Sequence, residues 1–342
     1  MRREMSASDW AMLALLAAIW GGSFLCYRLL APVLAPSVTV FARVTIAAIA
    51  LLPLLASQGM RAFRERDAWV AFAVMGALNN MIPFVLLAWA ETRISAGLAS
   101  ILNATTPMLS VIVAHVAGQE RLRSNRVLGP LCGLVGVGVL LAPDLRSGFH
   151  ANGLAQLAVL GASLSYAVAG VFARRFSSAG IDPLTATVGQ LCAAAALSTL
   201  LVLRAPADVL SLLHLQSYAW MALLFLALPA TSLAYILYFR LIARAGATNA
   251  LLVTLLVPAS AVVLGALALG ERLQMNDVAG MAVILAGLVI TDGRIFAVFT
   301  ANAAWKSEPD AAQNPAVGNT SQACRAENGT ASQCSRMNRE NA

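Results

Sequence analysis

Apolar residues in this chain come in ten long runs separated by short gaps, and that pattern leaves few folds open. The runs are 10–29, 37–56, 69–89, 95–117, 125–142, 152–173, 183–203, 218–238, 247–269 and 277–293. A helix needs about 20 mainly apolar residues to cross ~30 Å of hydrocarbon. In lipid each spanning segment must satisfy its own backbone amides and carbonyls, so the runs predict helices. Composition supports the choice: 59% of residues are hydrophobic and 11% are charged, against roughly 25% charged in a water-soluble domain. The first run is too long for a signal-peptide core and has no small-residue cleavage site after it, so it is expected to stay as a first span. The predicted fold class is all-α integral membrane, with ten transmembrane helices in the inner or plasma membrane and the lipid bilayer as its partner.

The net charge of +7 does not point to nucleic acid. The basic residues sit in the gaps between apolar runs, where membrane topology places them. With the N-terminus in the cytoplasm, twelve arginines fall in inner connections and five in outer ones. That bias favours a cytoplasmic N-terminus, and ten spans then put the C-terminus there too. Five cysteines without a CxxC pair suggest neither a metal site nor a disulfide framework. No cofactor is expected. Residues 300–342 carry Asn, Ser, Gln, Ala and scattered charges with almost no large apolar group, so they are expected to form a disordered cytoplasmic tail.

The chain repeats itself. Shifted by 151 positions, residues 69–141 fall on 220–292 without a gap: Trp69 meets Trp220, Pro107 meets Pro258, Glu120 meets Glu271, Gly129 meets Gly280 and Gly136 meets Gly287. Further upstream, an offset of 147 aligns Pro36 with Pro183 and Arg43 with Gln190. The unit spans five helices, an odd number, so the second copy is expected upside down relative to the first. The predicted organisation is therefore a repeat at 10–142, an inverted repeat at 152–293 and the tail. Many secondary carriers obtain two interconvertible states around one midplane site from inverted repeats.

Several stretches resemble the EamA-type drug/metabolite transporter superfamily. They are Ile19-Trp20-Gly21-Gly22-Ser23-Phe24, Phe41-Ala42-Arg43, the run from Ser95-Ala96-Gly97 through Asn103-Ala104-Thr105-Thr106-Pro107, and Gln119-Glu120-Arg121-Leu122 followed by Gly129 and Gly133. The second copy is similar, from Leu256-Val257-Pro258 through Gly270-Glu271-Arg272-Leu273 to Gly280. The resemblance covers about residues 10–293. It implies ten helices, a central cavity between the halves, and transport of amino acids, other metabolites or drugs, often outward.

Candidate cavity residues follow from polar groups inside spans. Pro107 and Pro258 remove the amide bonds to Asn103 and Thr254, and a freed carbonyl must face protein or water. The surrounding helix segments, with Asn103, Thr106 and Thr254, are therefore expected to line the pathway; the alternative is a kink in which threonine satisfies its own backbone. Arg43 lies roughly six residues, ~9 Å, inside the second span. It either holds an anionic group within the bundle or snorkels to the outer headgroups. Asn79, Asn80, Gln190 and Tyr235 are expected to face the bundle, and Trp20 and Tyr166 lie deep enough to join the cavity wall. Glu120 and Glu271 end the fourth and ninth helices, where a carboxylate wants a cationic or helix-N-terminal partner. They read as a symmetric gate or helix-end pair, with simple solvation as the alternative.

A membrane-embedded enzyme would need a set such as HExxH or GxSxG, and the sequence has neither. The function expected is secondary transport of a small-molecule substrate, an amino acid-like compound or drug, by alternating access. A small-solute channel or a non-transporting scaffold is the alternative. A homodimer is compatible with such a bundle.

Overall fold

The computed structural model describes residues 5–56, 63, 65–119, 124–146, 151–250 and 252–292. Residues 294–342 separate from 1–293 as a second unit, so the expected tail lies outside the described residues, as does Glu120. The first half contains α1 (Ala7–Leu30), α2 (Pro36–Ala56), α3 (Arg66–Gly76), a π-helical turn (Ala77–Met81), α4 (Ile82–Ala90), α5 (Ala96–Asn103), α6 (Thr106–Val116) and α7 (Ser124–Arg146). The second contains α8 (Ala151–Ser178), α9 (Pro183–Val202), α10 (Pro206–Leu210), a short 3-10 turn (Ser211–His214), α11 (Ser217–Ala227), a π-helical turn (Leu228–Leu233), α12 (Ala234–Ala245), α13 (Ala247–Ala250), α14 (Val253–Leu269) and α15 (Met275–Asp292).

Local chemistry sets several boundaries. Ser6 and Asp9 form a reciprocal capping box on α1, which satisfies amide donors that the helix itself leaves free. Ser95 accepts from Leu98 N at 3.2 Å on α5. Asp182 accepts from Thr185 N at 2.9 Å on α9, with Pro183 preset for the first helical position. Among the described residues, seven helical segments are long and apolar enough to cross a membrane: Ala7–Leu30, Pro36–Leu55, Arg66–Ala90, Ala96–Val116, Asn152–Phe176, Pro183–Val202 and Ser217–Ala245. Three shorter apolar helices, Val127–Val139, Leu256–Leu269 and Met275–Gly287, coincide with the fifth, ninth and tenth hydrophobic runs. Val70, Met221 and Leu267 point outward, 65 to 80% exposed; water would penalise this and lipid does not. The chain is a multi-pass membrane protein.

The packing pairs exchange when each element is carried to its repeat equivalent. α1 packs on α14, and α8 on α5 and α6; α1 also packs on α11 and α12, and α8 on α4. α2 packs on α11 as α9 packs on α3, while α2 meets α9 and α7 meets α15. The α7–α15 seam depends on glycine. A Cβ on Gly136 would lie 2.9 Å from Gly280 O, and one on Gly287 would lie 2.7 Å from Gly129 O. These are the same contact seen from either copy, and the small residues let the backbones approach.

At Pro107 the chain takes the second of the two expected forms, a kink in which threonine satisfies its own backbone: α5 ends at Asn103 and α6 begins at Thr106. The Asn103 carbonyl is taken by Thr106 Oγ1 at 2.7 Å and the Leu102 carbonyl by Thr105 Oγ1 at 2.7 Å. The threonines thus satisfy the backbone that proline leaves open. Pro258, preceded by Leu256 and Val257 rather than two threonines, stays buried inside an unbroken α14.

Candidate substrate site

The two π-helical turns begin 151 residues apart, at Ala77 and Leu228, and both carry polar residues into the bundle. A π-turn widens the helix and shifts which side chains face inward. Pro83 and Pro229, each lacking an amide donor, flank or open these turns. In the second turn Thr231 Oγ1 donates to Leu226 O at 2.8 Å and Ser232 Oγ to Ala227 O at 3.2 Å. These side chains reach carbonyls that the widened turn exposes.

Arg43 settles between its two expected orientations by facing the bundle. It is 4% exposed. Its Nη1 donates to Tyr27 OH at 2.6 Å, its Nε to Thr231 Oγ1 at 2.9 Å and its Nη2 to Ala230 O at 3.5 Å. The guanidinium lies 3.7 Å from the centroid of the Phe84 ring, within cation–π range. One charge therefore joins α1, α2, α4 and the second π-turn, and among the described residues every group bonded to it is neutral.

The repeat-equivalent position, Gln190, makes the corresponding contact in the other direction. Asn79 Nδ2 donates to Gln190 Oε1 at 3.1 Å and to Tyr235 OH at 3.0 Å, and Tyr235 OH donates to Asn80 Oδ1 at 3.3 Å. Asn80 is fully buried, and among the described residues its Nδ2 has no partner. Tyr166 on α8 lies within electrostatic reach of Tyr27, Arg43 and Tyr235. Ser165 Oγ donates to Leu78 O at 2.7 Å, fastening α8 to the first π-turn. Arg43, Asn79, Asn80, Tyr166, Gln190 and Tyr235 thus gather in one polar cluster where the halves meet.

The other candidates are placed elsewhere. Trp20 packs against Tyr238, ring centroids 5.5 Å apart. Asn103 Oδ1 accepts from Ser163 Oγ at 3.4 Å, and Thr106 closes the α5–α6 break. Thr254 is half-buried on α14 ahead of Pro258. Tyr27, Thr231 and Phe84 complete the cluster. The two polar ones were visible as in-span hydroxyls; nothing in an apolar run marks Phe84.

Glu271 takes both kinds of partner that its helix-end position calls for. Its Oε1 accepts from Ala96 N at 3.1 Å and its Oε2 from Gly97 N at 3.3 Å, with Arg28 Nε 4.0 Å away. A carboxylate from the second half therefore caps α5 of the first, complementing its dipole. Removing such a cap costs about 0.5–2 kcal/mol. Glu271→Ala is expected to speed hydrogen exchange at the Ala96 and Gly97 amides by roughly twofold to thirtyfold, read by mass spectrometry. Unchanged exchange would show that the contact does not hold α5. At the opposite end of the bundle, Arg244 meets Asp9 at 2.9 Å and Ser8 at 2.6 Å, again joining the halves.

Comparison with known proteins places this arrangement. The profile of the EamA-like transporter family matches residues 9–142 and again 153–291. An uncharacterized transporter of Bacillus subtilis is 23% identical over 270 residues, 79% of this chain and 91% of that protein. The Salmonella typhimurium protein named "Probable amino-acid metabolite efflux pump" is 28% identical over 200 residues, 57% of this chain and 67% of its own. A solved crystal structure superposes with a TM-score of 0.57 at 20% identity, over 84% of this chain and 98% of that one, which speaks to the fold. The chain belongs to the EamA-like transporter family.

Proposed function

We propose that this chain is a secondary transporter that carries a small, carboxylate-bearing, amino acid-like metabolite out of the cell by alternating access. The ten runs act as ten spans, organised as halves 10–142 and 152–293 of opposite orientation, with both termini in the cytoplasm. The observation that carries the reading is Arg43: a buried guanidinium at the junction of the halves whose bonded partners are all neutral. A buried charge is retained at a cost unless it is paired, and in a membrane protein such a residue marks the substrate path. A substrate carboxylate replaces Tyr27 and Thr231 as its partner. The amides of Asn79, Asn80 and Gln190 and the Tyr235 hydroxyl then bond the rest of the molecule. The pairings that exchange between repeats support a seam that rearranges symmetrically. The name of the Salmonella relative supports both the substrate class and the outward direction.

Purified protein in liposomes tests this. Counterflow of a labelled amino acid-like substrate, driven by unlabelled substrate inside, is expected, with no bulk conductance. Conductance without counterflow would replace the carrier with a channel, and neither would leave a scaffold.

A further inference from the structure

Glu91 follows α4 at the same end of the bundle as Glu271, and it is fully buried. Among the described residues, neither of its carboxylate oxygens has a hydrogen-bond partner. The neighbouring guanidinium is otherwise engaged: Arg28 Nη1 donates at 2.7 Å to the backbone carbonyl of Glu91, and its Nε lies 4.0 Å from Glu271. One cation thus stands beside two carboxyl groups, and Glu271 uses its own to cap α5.

The groups around Glu91 can be named element by element. α1 contributes Arg28, Tyr27 and Cys26, and the segment after α14 contributes Glu271. Arg93, on the same turn as Glu91, stacks on Trp89 with its charge 4.3 Å from the ring centroid. Further inward, Arg43 on α2 is bonded to Tyr27 and Thr231, and Tyr166 stands on α8. Burial pushes the Glu91 carboxyl well above the usual carboxylate range; the Glu271 charge adds to this and Arg28 opposes it.

We propose that Glu91 is a proton-binding site that latches this end of the bundle, closed when Glu91 is a neutral acid and released when it ionises. In the closed arrangement an ionised Glu91 would be a second carboxylate buried against a single guanidinium, without a donor for either oxygen. Opening hydrates it, and the proton passes to water on that side. Closure takes a proton back from the same water. The acid binds its proton more tightly closed than open. The closed form is therefore favoured at low pH and loses favour by about tenfold per pH unit between the two pKa values. The latch gives the proposed transporter a proton-sensitive gate and rests on that reading only for the word gate.

Thiol accessibility tests the latch without requiring transport. Ala96 is fully buried beside Glu271. In a background with the five native cysteines replaced, Ala96→Cys is labelled by a membrane-impermeant maleimide in purified protein. Its rate is divided by that of exposed Ser178→Cys at each pH, which removes the intrinsic thiolate dependence. With native Glu91 the normalised rate is expected to rise by up to about tenfold per pH unit. Glu91→Gln flattens the profile at the slow, closed level, and Glu91→Asp keeps a pH-dependent rise. A flat profile with native Glu91, or an undiminished rise in Glu91→Gln, would overturn the proposal. A protein without counterflow that still shows the expected profiles would overturn the transport reading and leave the latch standing.

Discussion

Counterflow by Arg43→Lys is expected to fall about a hundredfold at low substrate concentration, with the protein still folded. Arg43 bonds Tyr27 and Thr231 at 2.6 and 2.9 Å while covering the Phe84 ring at 3.7 Å. A lysine ammonium is a point charge and cannot meet a flat ring and two divergent acceptors from one position. Nor can it hold a carboxylate through two parallel bonds. Hydrogen bonds to charged groups contribute about 1.5–3 kcal/mol each, so losing the equivalent of one at the upper end of that range gives roughly that factor. Arg240→Lys, at an exposed position on α12, is the control and should transport normally. Normal counterflow in Arg43→Lys would remove Arg43 from the substrate site.

The second large effect concerns assembly. Gly287→Val and Gly136→Val should each destabilise the bundle by about 3 kcal/mol or more, since the clash falls on backbone that cannot swing aside. The Cβ added at Gly287 would already meet Gly129 O and Gly133 N at 2.7 Å; at Gly136 it would meet Gly280 O and Ile284 N at 2.9 Å. Gly138, two residues along, has nothing within 4 Å of such a carbon. Gly138→Val should therefore be near neutral. Thermal unfolding in detergent, followed by loss of the monodisperse peak, separates the three. Equal melting of all three would mean that α7 and α15 do not pack through these glycines.

The candidate site was legible in the sequence to the extent that its chemistry breaks the rules of an apolar span. Arg43, Gln190 and the Asn79–Asn80 pair stand out because lipid penalises them, and all join one cluster. The π-turns were not legible. Their widening is fixed by how α8 and α2 pack against them, through contacts such as Ser165 to Leu78 O and Ser232 to Ala47 O, and Pro83 and Pro229 only hint at it. The two repeat-equivalent prolines act differently: the helix breaks at Pro107 and runs on through Pro258. Two threonines ahead of Pro107 offer side-chain donors that end a helix, whereas Leu256 and Val257 ahead of Pro258 offer none. Glu91 falls just beyond the end of the third apolar run. Its burial comes from Arg28 and the Glu271 segment, far apart in sequence, and no local pattern announces it.

The two ends of the bundle are closed by different chemistry around the same central charge. At one end Arg28 and Glu271 tie the halves across α5; at the other Arg244 ties them to Asp9 and Ser8. If the halves rock about the Arg43 cluster, one tie must release while the other forms. Spin-label distances in lipid nanodiscs test this most directly, with Arg93→Cys and Met275→Cys marking one end and Ala7→Cys and Ser178→Cys the other. Addition of a substrate that supports counterflow is expected to lengthen one distance and shorten the other. Both distances changing in the same sense, or neither changing while counterflow proceeds, would contradict alternation around a central site.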